Sequence, residues 1–499
     1  MNVEVVAQSL PKHVVVLGAG PAGLAVGHEL TSQGVGVTVL ERNDYVGGLC
    51  RTVSDEGYKF DLGGHRWFTK NEDLNHWFRN LMEGELVLVN RISRIYHDGT
   101  FFLYPITLGD IFKKLNPLAI MQIGASFLFQ AMHQAVYPKP LISMKDAYTS
   151  QFGAKLYEMF FRHYTEKVWG RPCEQLSADW VSQRSNGLSI MSVIADVLFK
   201  PKEKAESLIE TFMYPQDGYM RIPERMAEDI VSRGGTVKLS APVTRIAYRG
   251  PNDFEVWFGE GENGSSVLAD RVVSTIPLGI FARILEPACD THVKDAAKAL
   301  QFRDLITVNL CLRRKQVTQD TWLYVQDPDI IFGRIHEPKN WSRAMVPDDE
   351  HTSLVLECFC SRGDAIWRLE NAEIAQRCIN DLVDKLKFFD REEVEGWTAV
   401  RTIQAYPVYD FAYKSNIATI MDYLTCFQGA HVVGRGGTFR YNNADHSIEM
   451  GLMLGRRLLG ADIDPLVVNT EPEYQEIRQH AVPRRDHYQL GGAKPVTNK

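Results

Sequence analysis

The first fifty residues contain two short apolar runs separated by a glycine-rich turn and a helix-like segment. Residues 14–17 predict a strand buried on both faces, and residues 24–30 predict the helix that follows it. Residues 37–40 predict a second strand. Strand, helix and strand in this order predict a βαβ unit with parallel strands.

The pattern of apolar and polar positions changes several times along the rest of the chain. It is helix-like at 108–210, strand-like at 236–248, a buried strand ending in a turn at 271–277, alternating strands at 300–410, and strand, glycine turn and helix at 431–459. We therefore predict an α/β fold in which a parallel sheet is assembled from separate segments, together with a helical domain and an antiparallel-sheet domain.

The most apolar stretch of the helix-like region is residues 117–129. It is too short to span a bilayer, and Gln122 interrupts it, so we predict no transmembrane segment. We interpret it as a buried helix, with contact to a membrane surface as the alternative.

Composition narrows the class of protein. The net charge of -7 gives no basic surface for nucleic acid. The 8 cysteines are scattered, without a C-x-x-C pair or a metal-ligand spacing, so we predict neither a disulfide framework nor a metal site. This cysteine usage is typical of a reducing compartment, and no signal peptide precedes the first strand, so we predict a cytoplasmic location.

The glycines after the first strand have the spacing G-x-G-x-x-G at Gly18, Gly20 and Gly23. The first permits a tight turn, the second lets the backbone approach a pyrophosphate, and the third lets helix and strand pack closely. Glu41 ends the second strand, where a carboxylate accepts hydrogen bonds from ribose hydroxyls. The sequence therefore predicts a bound dinucleotide.

The residues that follow this acid favour FAD over NAD. The segment NDYVGGLCRT, residues 43–52, resembles the extension found in the flavoprotein superfamily of amine oxidases, protoporphyrinogen oxidases, phytoene desaturases and UDP-galactopyranose mutases. The resemblance implies non-covalent FAD, with Gly47, Gly48 and Arg51 lying along it.

The closing segment HVVGRGGTFRYNNADHSIEMGLMLGRRLL is the second motif of this superfamily. Asp445 and Ser447 are expected to cap its helix. The resemblance implies that this strand and the start of the helix meet the flavin ring and ribityl chain. The cofactor contacts that it assigns outside the first fifty-one residues are His65, Val243, Gly434, Asp445, His446 and Ser447.

With FAD as the cofactor, we expect the chain to divide into six parts. These are residues 1–107 for the first part of the FAD-binding domain, 108–210 for the helical domain, 211–295 for the second FAD-binding part, 296–415 for the substrate-binding sheet domain, 416–470 for the third FAD-binding part, and 471–499 for a loose C-terminal tail. The FAD-binding domain is then Rossmann-like and discontinuous.

Within the superfamily the chain resembles the UDP-galactopyranose mutases of the eukaryotic type. FDLGGHRWF at 60–68 resembles the family's GGH loop, whose histidine lies over the flavin, and YTEKVWGRP and ADWVSQR resemble helical-domain segments that end in an active-site arginine. WLYVQDPDIIFGR, AYPVYD and GRGGTFRY resemble its substrate segments. The positions that the resemblance implies at the active site are His65, Arg184, Tyr324, Arg334, Tyr406, Arg435 and Tyr441.

These residue types suit the diphosphate that the family binds. Arginine offers a planar fork of donors that stays protonated, and tyrosine adds an O–H donor at a small cost in side-chain entropy. A single arginine is more often a solvated surface charge, and a single tyrosine is more often a half-buried ring. We predict that Arg334 and Arg435 converge with the three tyrosines around one diphosphate.

The resemblance leaves the sugar and the base open. In LYPITLGD, Tyr104 matches the family, but Ile106 and Thr107 stand where the family carries an aromatic residue and a glutamine. Asn442 or Asn443 replaces the family's active-site asparagine. We predict a nucleotide-sugar substrate touching Tyr104 and Asn443, without assigning its sugar or base.

Our first hypothesis is a flavin-dependent isomerase that interconverts the pyranose and furanose forms of a nucleotide sugar. The resemblance implies that FAD must be reduced, with NADH or NADPH as candidate reductants, and that its N5 attacks the anomeric carbon. The predicted catalytic residues are His65, Arg184, Arg334 and Arg435. We place His65 beside the flavin without a role in proton transfer.

A true oxidoreductase on the same scaffold, of the amine oxidase or desaturase type, is the second hypothesis. In that case the apolar residues 108–135 would form a lipid-facing lid, and the paired arginines would have no purpose. A flavoprotein that only binds a nucleotide sugar is the third. An oxidase consumes oxygen at each turnover and a mutase does not, which separates the first two hypotheses. The oligomeric state is open.

Overall fold

The computed structural model describes residues 10–104, 106, 108–181, 211–259 and 264–468. Arg184 and Thr107 therefore lie outside the described residues, as does the predicted C-terminal tail at 471–499. The predicted domain boundaries remain predictions.

The strands are β1 His13–Leu17, β2 Gly36–Leu40, β3 Thr52–Asp55, β4 Tyr58–Asp61, β5 Leu86–Asn90, β6 Ser93–His97, β7 Thr100–Leu103, β8 Thr211–Pro215, β9 Thr236–Lys238, β10 Val243–Gly250, β11 Asp253–Phe258, β12 Ser265–Ala269, β13 Arg271–Ser274, β14 Leu285–Glu286, β15 Phe302–Leu312, β16 Trp322–Val325, β17 Arg334–His336, β18 Thr352–Cys360, β19 Val394–Pro407 and β20 Ala430–Val432.

The α-helices are α1 Pro21–Ser32, α2 Glu72–Leu81, α3 Leu108–Lys114, α4 Pro117–Val136, α5 Met144–Phe152, α6 Ala154–Tyr157, α7 His163–Trp169, α8 Arg221–Ser232, α9 Leu278–Ile284, α10 Thr291–Ala299, α11 Asn371–Asn380, α12 Tyr413–Leu424, α13 Gly434–Thr438 and α14 Ala444–Leu458. A π-helical turn at Glu158–Arg162 joins α6 to α7.

A five-stranded parallel sheet has the order β20-β13-β1-β2-β9. The predicted strands at 14–17 and 37–40 form its centre, where Val15 pairs with Thr38 on one side and Val272 on the other. From β1 the chain adds β2 and β9 on one side of the sheet and β13 and β20 on the other. The strand order therefore reverses between β1 and β13, and such a switch point opens a crevice at the carboxyl ends of the strands. The predicted discontinuous Rossmann-like architecture is confirmed.

Helices α1 and α14 pack against each other beside this sheet, and glycines allow the close approach. A Cβ on Gly23 would stand 2.1 Å from the carbonyl oxygen of Gly18, and one on Gly451 would stand 2.4 Å from that of Ala22. Both distances are far below contact, so the first helix can sit near the turn and the last helix only because these positions lack side chains.

A seven-stranded sheet with the order β19-β15-β18-β17-β16-β6-β7 forms the second layer. Its long strands β15 and β18 are antiparallel, as predicted for 300–410, and bring Thr307 opposite Glu357. Both strands are buried along almost their whole length. β6 pairs with β16, so the predicted first segment 1–107 also contributes to this sheet.

One predicted strand region divides in two. The strand-like residues 236–248 form β9 in the parallel sheet and β10 in a separate four-stranded sheet with the order β12-β11-β10-β14. The chain changes sheets at residues 239–242, where Ser240 has a φ of 50°. Apolar periodicity indicates strand character but does not say which sheet a strand joins.

The prediction that 117–129 forms a buried helix is wrong in its burial. The helix is longer, Pro117–Val136, and only Ile123 and Phe127 are buried. These two side chains lie about one turn apart and pack against the rest of the protein, while most of the other apolar side chains of the helix are exposed. Continuous apolarity does not distinguish a core helix from a helix with an exposed apolar face. No helix within the described ranges is long and apolar enough to cross a membrane.

Candidate functional site

A cavity of about 730 Å³ lies at the switch point of the parallel sheet. Its glycine end is formed by the turns that follow β1 and β2, including Gly18, Gly20 and Glu41. Its arginine end is formed by the seven-stranded sheet and the closing segment, including Arg334 and Arg435. The volume lies in the upper part of the range typical of small-molecule and cofactor sites.

Two positions at the glycine end carry glycine for different physical reasons. Gly18 has a φ of 98°, and a Cβ there would meet the Thr275 hydroxyl at 2.5 Å. Gly20 has an ordinary φ of -78°, and a Cβ there would meet no atom within 4 Å. Since neither backbone strain nor packing requires glycine at position 20, its open side faces the space that a ligand would fill.

Glu41 is the only acidic residue among the described residues that line the cavity. Its carboxylate accepts a hydrogen bond from the Ala19 N–H at 2.9 Å, and from the backbone and side-chain N–H groups of Asn43 at 2.9 and 2.8 Å. These bonds hold it at the carboxyl end of β2, in the place predicted for a ribose-binding acid.

The loop after Glu41 continues the glycine end. Gly48 and Arg51 line the cavity, as does Val243 from β10. The Arg51 guanidinium lies 3.9 Å from the centre of the Tyr45 ring. Gly47 does not line the cavity; it has a φ of 106° and donates its N–H to the Ala19 carbonyl at 2.8 Å, so it supports the turn.

The closing segment approaches the same cavity, but its helix cap differs from the prediction. Asn443, and not Asp445 or Ser447, is the N-cap of α14, and it forms a capping box with His446. Gly434, Asn443 and Ser447 line the cavity, whereas Asp445 and His446 do not. The helix begins at Ala444, so the buried carboxyl of Asp445 lies in the first turn of the helix. Burial raises the pKa of this carboxyl.

At the arginine end, Arg334 is held by a buried acid. Its Nη2 donates to Glu357 Oε2 at 2.5 Å and to the Tyr406 hydroxyl at 2.6 Å. The Tyr406 hydroxyl donates in turn to Glu357 at 3.4 Å. Burial opposes the Arg334 charge, yet Glu357 and the surrounding tyrosines raise its pKa, so the guanidinium stays charged.

Arg435 also lies near Tyr406, and backbone carbonyls hold it. Its guanidinium donates to the Asn442 carbonyl at 2.8 and 2.6 Å and to the Ala405 carbonyl at 2.9 Å. It lies 4.8 Å from the centre of the Tyr441 ring and 5.6 Å from that of Tyr406. Tyr406 and Tyr441 stack at 5.7 Å, so the structure brings both predicted arginines and these tyrosines together.

An aromatic wall continues from this cluster. The rings of Tyr324 and Tyr104 are 4.9 Å apart, and Tyr164 meets Tyr324 edge-on at 5.6 Å. The Arg91 guanidinium lies 5.5 Å from the Tyr104 ring. Tyr104 and Tyr324 both line the cavity, and their contact with a substrate stays a prediction.

His65 faces the cavity from the Gly-Gly-His loop. A Cβ on Gly64 would come within 2.2 Å of Trp322 Nε1, which accounts for the glycine before the histidine. Burial and then the nearby Arg435 and Arg334 lower the pKa of His65 to about 3. The ring is therefore neutral at physiological pH. Its contact with the flavin without a role in proton transfer stays a prediction.

The cavity is strongly cationic. Among the described lining residues the only acid is Glu41, and seven are arginines: Arg42, Arg51, Arg66, Arg91, Arg334, Arg401 and Arg435. A dinucleotide pyrophosphate needs only part of this charge, so the site is suited to a second anionic group.

Sequence reasoning missed Glu357, which positions Arg334 and also accepts the Gly64 N–H at 3.3 Å. The signal was present, because Glu357 is the only charged residue in the fully buried and mostly apolar strand Thr352–Cys360. A charge in such a strand needs a buried partner. Arg91 and Arg66 were also missed, and their sequence surroundings carry no comparable signal.

The comparison with protein families gives the identity at family level. The model of the flavin-containing amine oxidoreductases matches residues 21–419. The chain belongs to this family. Family membership implies FAD as the cofactor and an enzyme built on the superfamily's oxidoreductase scaffold.

Individual relatives divide between two chemistries. A solved structure of reduced UDP-galactopyranose mutase covers 92% of this chain and 99% of its own, with a TM-score of 0.78 and 24% identity. A probable UDP-galactopyranose mutase of Klebsiella pneumoniae is 25% identical over 34% of this chain and 43% of its own length. The L-amino-acid oxidase of Bungarus fasciatus is 33% identical over 62% of this chain and 59% of its own length.

The residues present fit FAD. The open side of Gly20 forms a cradle that a Cβ would fill, beside the N-terminus of α1. Glu41 offers acceptors, and at the arginine end the Arg334 Nε is buried without a hydrogen-bond partner among the described residues. The glycine end can hold the pyrophosphate and ribose, and the cavity then continues to the arginine end.

Proposed function

We propose that the protein is a flavin-dependent mutase that interconverts the pyranose and furanose forms of a nucleotide sugar. The observation that carries the proposal is the convergence of Arg334 and Arg435 on Tyr406, in a cavity whose described lining has seven arginines and one acid. Two guanidiniums facing one tyrosine pair suit a diphosphate, which carries adjacent negative charges.

The cofactor would be held by the glycine end. Gly18, Gly20 and the start of α1 would contact the pyrophosphate, and Glu41 would accept from a ribose. The reduced flavin, when bound, supplies an electron-rich nitrogen as the nucleophile of such an isomerisation.

The chain's own groups would control the leaving diphosphate. Arg334 and Arg435 would pair with it, and the Tyr324 and Tyr441 hydroxyls would add donors. Because the diphosphate stays in the cavity while the sugar ring opens and recloses, its return is effectively intramolecular. Glu357 would keep the Arg334 fork oriented, and the neutral His65 would pack beside the flavin without titrating.

The oxidoreductase alternative has support of its own. The relative from Bungarus fasciatus is an L-amino-acid oxidase, and an arginine could hold the carboxylate of an amino acid. A protonated amine, however, would enter a cavity whose described lining has seven arginines, one of them paired with the buried Glu357, and a single acid, and like charges at such a site are costly. This favours an anionic substrate.

Titration with UDP, GDP, dTDP and CDP tests the anion site. We expect at least one nucleoside diphosphate to bind. Arg435→Ala should weaken its affinity on the order of tenfold to a hundredfold, which is the contribution of one charge-assisted contact. Arg245→Ala is the matched control, because Arg245 stacks on Trp257 in another sheet. Equal binding by the wild type and Arg435→Ala would contradict the anion site.

Stoichiometry separates the two chemistries. The reduced protein, kept anaerobic, is mixed with nucleotide sugars, and the ring form of the products is followed by chromatography. Many product molecules for each reduction would support the mutase. One flavin redox event, or one oxygen molecule consumed, for each product molecule would establish an oxidase or desaturase.

A further inference from the structure

Helix α4 exposes an apolar face. Its outward side chains are spaced at three and four residues, and each of the six large ones is 61–66% exposed: Leu118, Met121, Leu128, Phe129, Met132 and Val136. At 100° per residue they fall within an arc of about 100°, and they extend along about 27 Å of the helix. We call these six residues the apolar face.

The polar residues of this helix lie largely on the other side, which reverses the usual arrangement of a surface helix. Ser126 accepts the backbone N–H of Lys155 at 3.1 Å, and Gln134 donates to the Lys139 carbonyl at 3.1 Å. These polar groups are therefore engaged with the protein, together with the buried Ile123 and Phe127.

The apolar surface continues beyond the helix. Phe129, His133 and Tyr137 form a row of rings along it, with centroids 6.2 and 5.6 Å apart. Leu141 and Ile142, after the helix, are also exposed. Extended exposed apolar surfaces of this kind mark interaction sites.

The charged residues between Asp110 and Asp146, the segment that carries the apolar face, are all of one sign. Residues 111–145 contain four lysines and no aspartate or glutamate, in a chain with a net charge of -7. Lys114 and Lys145 pair with acids outside this segment. Lys113 and Lys139, before and after the helix, are exposed and have no acidic partner within 4 Å among the described residues.

We propose that the apolar face binds the surface of an anionic lipid bilayer, with α4 lying in the plane of the headgroups. The helix has an apolar stripe and lysines at both ends, the combination that binds at the boundary between headgroups and acyl chains. A second copy of the chain is a poorer occupant, because pairing two such faces brings lysines of like charge together. Anionic headgroups complement them.

Flotation with lipid vesicles tests the proposal on the full-length protein. We expect it to float with vesicles of phosphatidylcholine and phosphatidylserine in a three-to-one ratio, and much less with phosphatidylcholine alone. Phe129→Glu should lower partitioning at least about tenfold, because it removes a ring that would be buried in the bilayer and adds a charge. Lys113→Gln and Lys139→Gln should each lower it about fivefold, and added salt should have a similar effect.

Val231→Glu is the matched control, since Val231 is an exposed aliphatic residue on α8. It should float like the wild type, and all variants should keep the wild-type unfolding temperature. Absence of flotation by the wild type, or equal flotation by Phe129→Glu, would overturn the proposal. So would a concentration-dependent dimer that Phe129→Glu dissociates, seen by light scattering without flotation, because the face would then pair two copies.

Discussion

The two ends of the cavity are built in different ways. At the glycine end, backbone groups and the absence of side chains form the site, and its main residues lie within the first fifty-one positions. At the arginine end, large charged and aromatic side chains form the site. They come from β17, β19 and the segment after β20, and Glu357 on β18 supports them from behind.

The two ends differ in how much they depend on distant parts of the chain. A glycine turn needs only its own strand and helix, because the pyrophosphate contacts backbone N–H groups. A buried guanidinium needs a partner for its charge and an oriented fork, and these come from distant strands. Substitutions at the first end should therefore affect the ligand, whereas substitutions at the second should affect ligand and stability together.

The largest expected effect is at the glycine end. Gly20→Val should abolish FAD binding, because the added carbons fill the space that the pyrophosphate would occupy, while the backbone φ of -78° accepts valine. We would measure flavin absorbance per protein and the circular dichroism spectrum. Gly109→Val, where a Cβ also meets nothing within 4 Å, is the control. A yellow Gly20→Val protein would contradict this account of the turn.

At the arginine end, Arg334→Ala should cost about 3–5 kcal/mol of unfolding free energy, because it leaves Glu357 buried without its cation. The double variant Arg334→Met with Glu357→Gln should recover most of that stability and none of the nucleotide binding. Urea unfolding and nucleoside diphosphate titration of both variants give the comparison. Equal stability of the single and double variants would show that the ion pair does not couple the site to the fold.

The arginine end should also make the protein sensitive to acid. Burial, then His65 and Arg334, lower the pKa of His336 to about 3 from 6.5. The unfolded state binds the proton more readily, so the stability present above pH 6.5 is lost as pH falls, by about 2 kcal/mol at pH 5.

His336→Phe keeps the ring that stacks on Trp341 and removes this titration. The variant should lose about 2 kcal/mol less than the wild type between pH 7 and pH 5, measured by urea unfolding at both values. Parallel losses in the two proteins would mean that His336 is not buried as a neutral ring.

The smallest expected effect is where the two ends meet, at the start of α14. Asn443→Ala should cost about 1 kcal/mol of unfolding free energy, because it removes the N-cap and its box with His446. Ser447→Ala removes only a hydroxyl bonded to the Asn443 carbonyl within the helix and should cost less than about 0.5 kcal/mol. A larger loss of stability in Ser447→Ala than in Asn443→Ala would instead support the predicted cap at Ser447.

Some of the site could be read from the sequence because its signals are local. The glycine spacing, Glu41 after the second strand, and Gly48 with Arg51 all depend on neighbours within a few residues, and the structure places them along the cavity. The resemblance to a family supplied Tyr324, Arg334, Tyr406 and Arg435, together with the prediction that they converge. Their convergence is a property of strand order, which apolar periodicity does not encode.

The sequence by itself determined the parallel-sheet architecture and the dinucleotide turn, because periodicity and glycine spacing are local consequences of backbone geometry. The residue types of the anion site came from the resemblance to a family. The tertiary structure decided that Glu357 holds Arg334, that Asn443 caps the last helix, and that α4 turns its apolar side outward. Each of these depends on which segments pack together in the folded chain, and the sequence of one segment does not specify its distant partner.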